Sequence, residues 1–318
     1  MAFLYSILLA LLTTAPAFAG ATYIALTPNI NDFSRFADGG ADGNWYVGFN
    51  NAWIVQLPPA PQGFERAYIG ARIGRAKTRP NPNKPWLREI IDGKIYMAIS
   101  QTPSWTSEQS FFLVETNDVS AEAEAGAQTD GVGPAHWFWS EVPLSMVSTQ
   151  KPNYLIIWSP TQYFVRASSS PILAATAAEG ENEAFAWNNH AILGVPPRTA
   201  DQALETPLKN MHPALAIKLV PGVQSEVTVT DFALDRVGRD SIASFTASGQ
   251  DIGEAWLEQS RDQLDWSRIT KLAWHPPYAF TLTPDKLPPP GSFLRAVARD
   301  GLGNTGSSAP IQIPYATK

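Results

Sequence analysis

The chain has 318 residues, with 29 acidic against 23 basic side chains for a net charge of −6, and no cysteine. The basic residues are scattered, so nucleic acid and anionic membrane surfaces are poor partners, and without cysteine there is no disulfide, thiolate metal site or thiol nucleophile. Its 22 glycines and 27 prolines are spread along the length, which suits short strands and tight turns better than long helices.

Taken from the N-terminus, Phe3 to Leu12 is an apolar run too short to span a bilayer. Pro16 and then Ala17-Phe18-Ala19 follow it, the A-x-A cleavage pattern of a secretory signal peptide. No Lys or Arg precedes Arg35, so the charge of the leader is that of the terminal amine alone. Residues 1–19 are read as a leader, with an uncleaved anchor as the alternative. No later stretch reaches about 18 uninterrupted apolar residues, so no membrane span is predicted. A secreted chain without disulfides is held by its cores, which suits a bacterial periplasmic or extracellular setting.

Asp38 to Asn44 reads DGGADGN. Asp38, Asp42 and Asn44 offer hard oxygens of the kind calcium takes, and the alternative is a pair of ordinary Asp-Gly turns. Strands are predicted over Ala67–Ile73, Lys94–Ser100, Ser110–Glu115, Asn153–Ser159 and Ala214–Val220, each bounded by turn residues. In the first, Ala67, Ile69, Ala71 and Ile73 share one face, and Tyr68, Gly70 and Arg72 the other. Thr199 to Lys209 is the one helix candidate, interrupted by Pro207. Ser120–Ala135 and Ala174–Glu183 read as long exposed loops. NWYVGFNNAWIVQLPP (Asn44 to Pro59), ERAYIGARIG and KIYMAIS together resemble the early strands of the galactose-binding-like jelly rolls used by many carbohydrate-binding modules. That resemblance implies a jelly-roll-like β-sandwich over residues 20–220, and such modules often carry one structural calcium.

Pro221-Gly222 marks a change of texture. Seven short strands are predicted after it: Glu226–Phe232, Ser241–Ser248, Glu254–Ser260, Trp266–Ile269, Tyr278–Thr283, Phe293–Arg299 and Ala309–Ile313. Their number and spacing fit an immunoglobulin-like sandwich over residues 221–318. PYAFTLTPDKLPPPGSFLRAVARDGLGNTGSSAP (Pro277 to Pro310) resembles the bacterial Ig-like and fibronectin type III-like modules attached to surface proteins. The fold class is thus all-β, two sandwiches in series.

A search for catalytic motifs returns little. No G-x-S-x-G occurs, and His136, His190, His212 and His275 are too far apart for a local metal pattern. Glycosidases need two carboxylates at a fixed separation, and Glu65, Glu89, Glu108, Glu115 and Glu141 all lie near predicted strands without any pair standing out. Tryptophan is the richest signal, since indole faces stack on the C–H faces of sugars. Trp53 and Trp158 read as core, whereas Trp86 and Trp105 fall in loops. In HWFWSEVP (His136 to Pro143), Trp137 and Trp139 share a face: core if the strand is buried on both sides, a ligand platform if it is an edge strand. Arg66, Tyr68 and Arg72 share strand parity and form a second candidate surface, either a row of sugar-binding donors or a solvated outer face. These features lead to a secreted, non-catalytic binding protein for a polysaccharide or cell-surface ligand, with no enzymatic activity. The alternatives are a self-assembling subunit of a filament, surface layer or adhesin, and a glycan-active enzyme.

Overall fold

The computed structural model describes residues 20–36, 45–121, 135–177, 186–190, 206–207, 211–222 and 226–315. Residues 1–19, read above as a leader, lie outside them. The fold is all-β and its sheets are antiparallel. Among the described residues the helical pieces are four 3₁₀ turns of three residues each, and no helix is long and apolar enough to cross a membrane.

In chain order the first strands are β1 (Thr22–Ala25), β2 (Arg35–Phe36), β3 (Asn51–Leu57), β4 (Arg66–Gly74), β5 (Thr78–Pro80), β6 (Arg88–Ile90), β7 (Lys94–Ser100) and β8 (Ser110–Glu115). They continue as β9 (His136–Val142), β10 (Asn153–Trp158), β11 (Ile172–Ala177), β12 (Ala186–His190), β13 (Thr206–Pro207), β14 (Met211–Pro213) and β15 (Leu215–Val220). Among the described residues one sheet runs β1-β15-β4-β11-β14, with β9 also on β4 and β2 on β11; the other runs β13-β12-β3-β10-β7-β8. Alternation explains how they stack. Ile69, Ile73 and Ile217 of the first sheet and Trp53, Val55, Met97 and Ile157 of the second join one buried cluster. Side chains of opposite parity necessarily face away. Trp53 is the largest buried side chain, and its indole Nε1 donates to the Tyr46 carbonyl at 2.9 Å, which satisfies the polar atom that burial would otherwise leave unpaired.

The remaining strands are β16 (Thr228–Val237), β17 (Asp240–Ser248), β18 (Ile252–Ser260), β19 (Ser267–Arg268), β20 (Tyr278–Leu282), β21 (Phe293–Asp300), β22 (Thr305–Ser307) and β23 (Ile311–Gln312). They form sheets β16-β17-β20 and β19-β18-β21-β22, with β23 on β21. Phe245, Leu257, Leu282, Leu294 and Ala296 lie in the separate core between these sheets.

Three local expectations need correction. The helix candidate over Thr199–Lys209 is a strand where it is described, at Thr206–Pro207 in β13, consistent with the cost of proline inside a helix. Its other residues lie outside the described ones. The first exposed loop begins and ends beside the buried Ala121 and Ala135, and the second begins inside β11, where Ala174 and Ala175 have no exposed surface; residues 122–134 and 178–183 of these loops lie outside the described ones. Trp158 is not core of the sandwich. It has the parity of Ile156 and packs with Trp105 and Tyr154 on the outer face of the second sheet.

Candidate functional site

The outer face of the first sheet gathers most of the predicted site. Across β4 and β9 the register sets Gly70 opposite Trp139, Arg72 opposite Trp137 and Tyr68 opposite Glu141. On the other flank Lys218 of β15 lies opposite Tyr68, and Tyr23 of β1 opposite Lys218. The tryptophan pair and the Arg66-Tyr68-Arg72 row are therefore one surface, because paired residues share a face.

Among the described residues β9 pairs with β4 alone and forms an edge. Phe138 points into the core, while Trp137 and Trp139 are half-buried on the opposite face. Their rings stack with centroids 5.1 Å apart and planes 14° from parallel. Gly70 makes room for them, since a Cβ there would collide with the Trp139 ring and the Phe138 carbonyl. Phe33 meets Trp137 edge-on at 5.7 Å, and Tyr23 tilts over Trp139 at 5.8 Å. The pair is thus neither sandwich core nor a free platform. It faces the second sandwich across a cleft of about 280 Å³, whose far wall includes Glu254, Trp274, Arg299 and Asp300.

Charged groups set the chemistry of this cleft. Lys218 is 4% exposed, and its ammonium lies 4.4 Å from the Tyr68 ring centroid and 4.8 Å from that of Trp139. It donates to the Gly301 carbonyl of the second sandwich at 3.1 Å. Burial, helped by repulsion from Arg299, pushes its pKa down to about 8. Burial likewise pushes the Tyr68 hydroxyl up to about 12. Arg66 forks onto Glu141, with both contacts at 3.0 Å, and holds that carboxyl below the usual range. It also reaches the Gly303 carbonyl at 3.3 Å. Arg72 donates to the Phe33 carbonyl at 2.9 Å and the Ala135 carbonyl at 3.3 Å, and burial lowers its pKa. The solvated-face reading of this row is therefore corrected: the turn at Leu302 and Gly303 of the second sandwich meets Tyr68 and Arg66, and Arg72 is engaged by the Phe33 and Ala135 carbonyls of its own sandwich. Arg299 pairs with the buried Glu254. Asp300 accepts from the Leu302 amide at 2.9 Å and the Asn304 amide at 2.8 Å, which fixes the turn that meets Lys218. His136 stacks on Trp274 at 4.0 Å and 9°. Burial, then the neighbouring His275 and Arg72, push its pKa down to about 4.

Other predicted residues lie elsewhere. Trp86 is 76% exposed in the turn between β5 and β6. Trp105 follows β7 and rests on Trp158 at 6.4 Å, on the outer face of the other sheet. Asp38, Asp42 and Asn44 lie outside the described residues, and among the described residues no group of three or more His, Cys, Asp or Glu could hold a metal ion. Sequence reasoning missed Lys218, Glu254, Trp274, Arg299 and Asp300. A signal existed for Lys218, a lone cation in the apolar run LAIKLV.

No family model matches the chain, and no curated protein does. Among solved structures it is similar to a β-D-glucuronidase of Dictyoglomus thermophilum, at 10% identity and a TM-score of 0.23 over 93% of this chain and 44% of the other. A β-1,2-glucanase from Parabacteroides distasonis matches at 10% identity and 0.22 over 83% and 31%. A Lactobacillus rhamnosus β-glucuronidase matches at 7% and 0.21 over 87% and 37%. The chain spans less than half the length of these proteins. At TM-scores near 0.2 the superposition carries no site over to this chain. The structures matched are glucuronidases and a glucanase, which runs against the expectation of a non-catalytic protein without enzymatic activity.

Proposed function

We propose that the protein is a glycan-active enzyme of the bacterial cell envelope or exterior, and that the cleft between its two sandwiches holds the saccharide. The observation that carries this reading is the stacked Trp137–Trp139 pair, half-buried in a cleft whose opposite wall is charged. A saccharide has apolar C–H faces and hydroxyl edges. Aromatic walls with a few convergent polar groups match both. Division of the chain at Pro221-Gly222 and export by residues 1–19 belong to the same proposal.

The chemistry assigned to the cleft is holding and orienting. A glycosidic general acid needs a carboxyl with a raised pKa. Arg66 pulls Glu141, beside the cleft, the other way. The carboxylates that line the cleft, Glu254 and Asp300, serve as hydrogen-bond acceptors for hydroxyls.

The test is tryptophan fluorescence of the protein during titration with neutral and uronic-acid oligosaccharides, beside an assay for released reducing ends. A saturable change that Trp137→Ala weakens about tenfold or more, while melting like the parent, is the expected result. Neither binding nor release with any saccharide would remove the reading.

A further inference from the structure

A second cavity, of about 430 Å³, opens on the other side of the β9 edge. It shares Trp139, Glu254 and Arg299 with the first. We infer that the two are halves of one groove and that the ligand is an extended glycan chain, several sugar units long, running across the Arg299–Glu254 pair from the Trp137–Trp139 stack to Trp256. This deepens the proposed function and rests on it.

Three observations carry it. The first concerns size: 280 Å³ falls just short of the range of about 300–1,000 Å³ usual for small-molecule sites, and the two cavities joined fall well inside it. The second is the partition between them. Arg299 and Glu254 sit opposite each other on β21 and β18, with Trp256 two residues further on the same face. The Arg299 guanidinium lies over the Trp256 ring at 5.7 Å. Its side chain keeps 35% of its surface exposed while Glu254 keeps 9%. What separates the cavities is thus a planar, partly open hydrogen-bond donor beside an indole, a surface over which a sugar ring can lie.

The third is the order of groups beyond it. Glu258 and Arg295 pair at 2.7 Å on the same face of β18 and β21, and Trp266 stacks on Arg295 at 4.1 Å. Aromatic planes therefore alternate with Arg–carboxylate pairs along the strip, at Trp139, Arg299–Glu254, Trp256, Glu258–Arg295 and Trp266. A polymer of repeating apolar faces and hydroxyl edges fits that alternation. A single small molecule would use one end of it. The far side of the second cavity is fixed by Arg268 on Asp118 at 2.6 and 2.9 Å, a contact between the two sandwiches that holds the groove at its width.

The experiment is an affinity series by calorimetry, using the protein and the oligosaccharides of two to six units from whichever glycan gives the fluorescence response. Affinity is expected to rise roughly tenfold from two to six units. Trp256→Ala should remove that increment and leave the binding of the two-unit sugar within about twofold of the parent. Trp256→Phe, which keeps a flat ring, should restore most of it and guards against a folding artefact. Equal affinity at every length, or a Trp256→Ala protein that keeps the full increment, overturns the extended groove while leaving the proposed function standing. Failure of every saccharide at every length would instead remove the proposed function, and the groove with it.

Discussion

Single side chains at this interface carry measurable consequences. His136 is the clearest titrating group. Its folded pKa lies near 4 against an ordinary 6.5, so the unfolded chain binds the proton more tightly between those values. Stability is then present above pH 6.5 and lost as pH falls from about 6.5 to about 4. Allowing for partial exposure, the loss is about 1–3 kcal/mol. His136→Phe keeps a flat ring for the Trp274 stack and has no proton to bind. Its melting temperature should fall less than that of the parent over this window. His212, also pushed down by burial, leaves a residual slope in both proteins. Parallel curves for parent and variant would show that His136 does not titrate in the fold. Gly70 offers a steric test at the same interface. Its replacement by alanine forces the Trp139 ring and the β9 backbone to move, at about 1–3 kcal/mol. Thermal melts should show the loss, and the fluorescence response to saccharide should weaken with it.

At the scale of strands, much of the fold was legible and its pairing was not. Runs such as AYIGARI and KIYMAIS announce themselves because one face is continuously buried, and β4 and β7 follow them closely. The apolar setting of AWIV placed Trp53 inside, and parity grouped Trp137 with Trp139. Trp158 failed because LIIWS is apolar on both faces, so its pattern does not say which face meets the other sheet. The site failed for a different reason. β4 and β9 pair residues about seventy positions apart, and nothing local to either strand encodes that register. Two candidate surfaces therefore read as separate although they are one. Nothing within Glu254–Ser260 or Phe293–Arg299 singles out Glu254 and Arg299, because what covers their face belongs to another part of the chain. Trp274 shows the same dependence. It meets Phe138 edge-on at 5.4 Å and stacks on His136, and so covers the edge strand β9. Trp274→Ala should cost about 2–4 kcal/mol in denaturant unfolding. It should also raise the tendency to aggregate, as light scattering would show, because an uncovered edge is a template for pairing. A soluble variant with unchanged midpoint would mean that the edge needs no cover.

For the whole molecule, the decisive question is whether the two cores unfold together. Between them lies a small apolar cluster, Tyr68 and Val220 from the first sandwich against Leu302 from the second, with Trp139 and Ala21 packed on it. Around this cluster stand the contacts from Lys218 to Gly301, Arg66 to Gly303 and Arg268 to Asp118. The part-exposed Arg268–Asp118 pair contributes about 0–1 kcal/mol, and each hydrogen bond from the charged Lys218 or Arg66 to a carbonyl contributes about 1.5–3 kcal/mol. The apolar centre excludes water and makes them act as a set. Leu302 is 7% exposed, and Leu302→Asp would remove the apolar packing on Tyr68 and Val220 and put a carboxylate in its place, a desolvation cost that the interface escapes by opening. The cores themselves do not contain Leu302, so each sandwich keeps its own packing. In calorimetry the parent is expected to melt in one transition and Leu302→Asp in two, with the saccharide response abolished although neither tryptophan of the stack has changed. Two transitions in the parent would show that the interface does not couple the sandwiches. A single transition in Leu302→Asp with saccharide binding intact would show that the cleft does not depend on their contact.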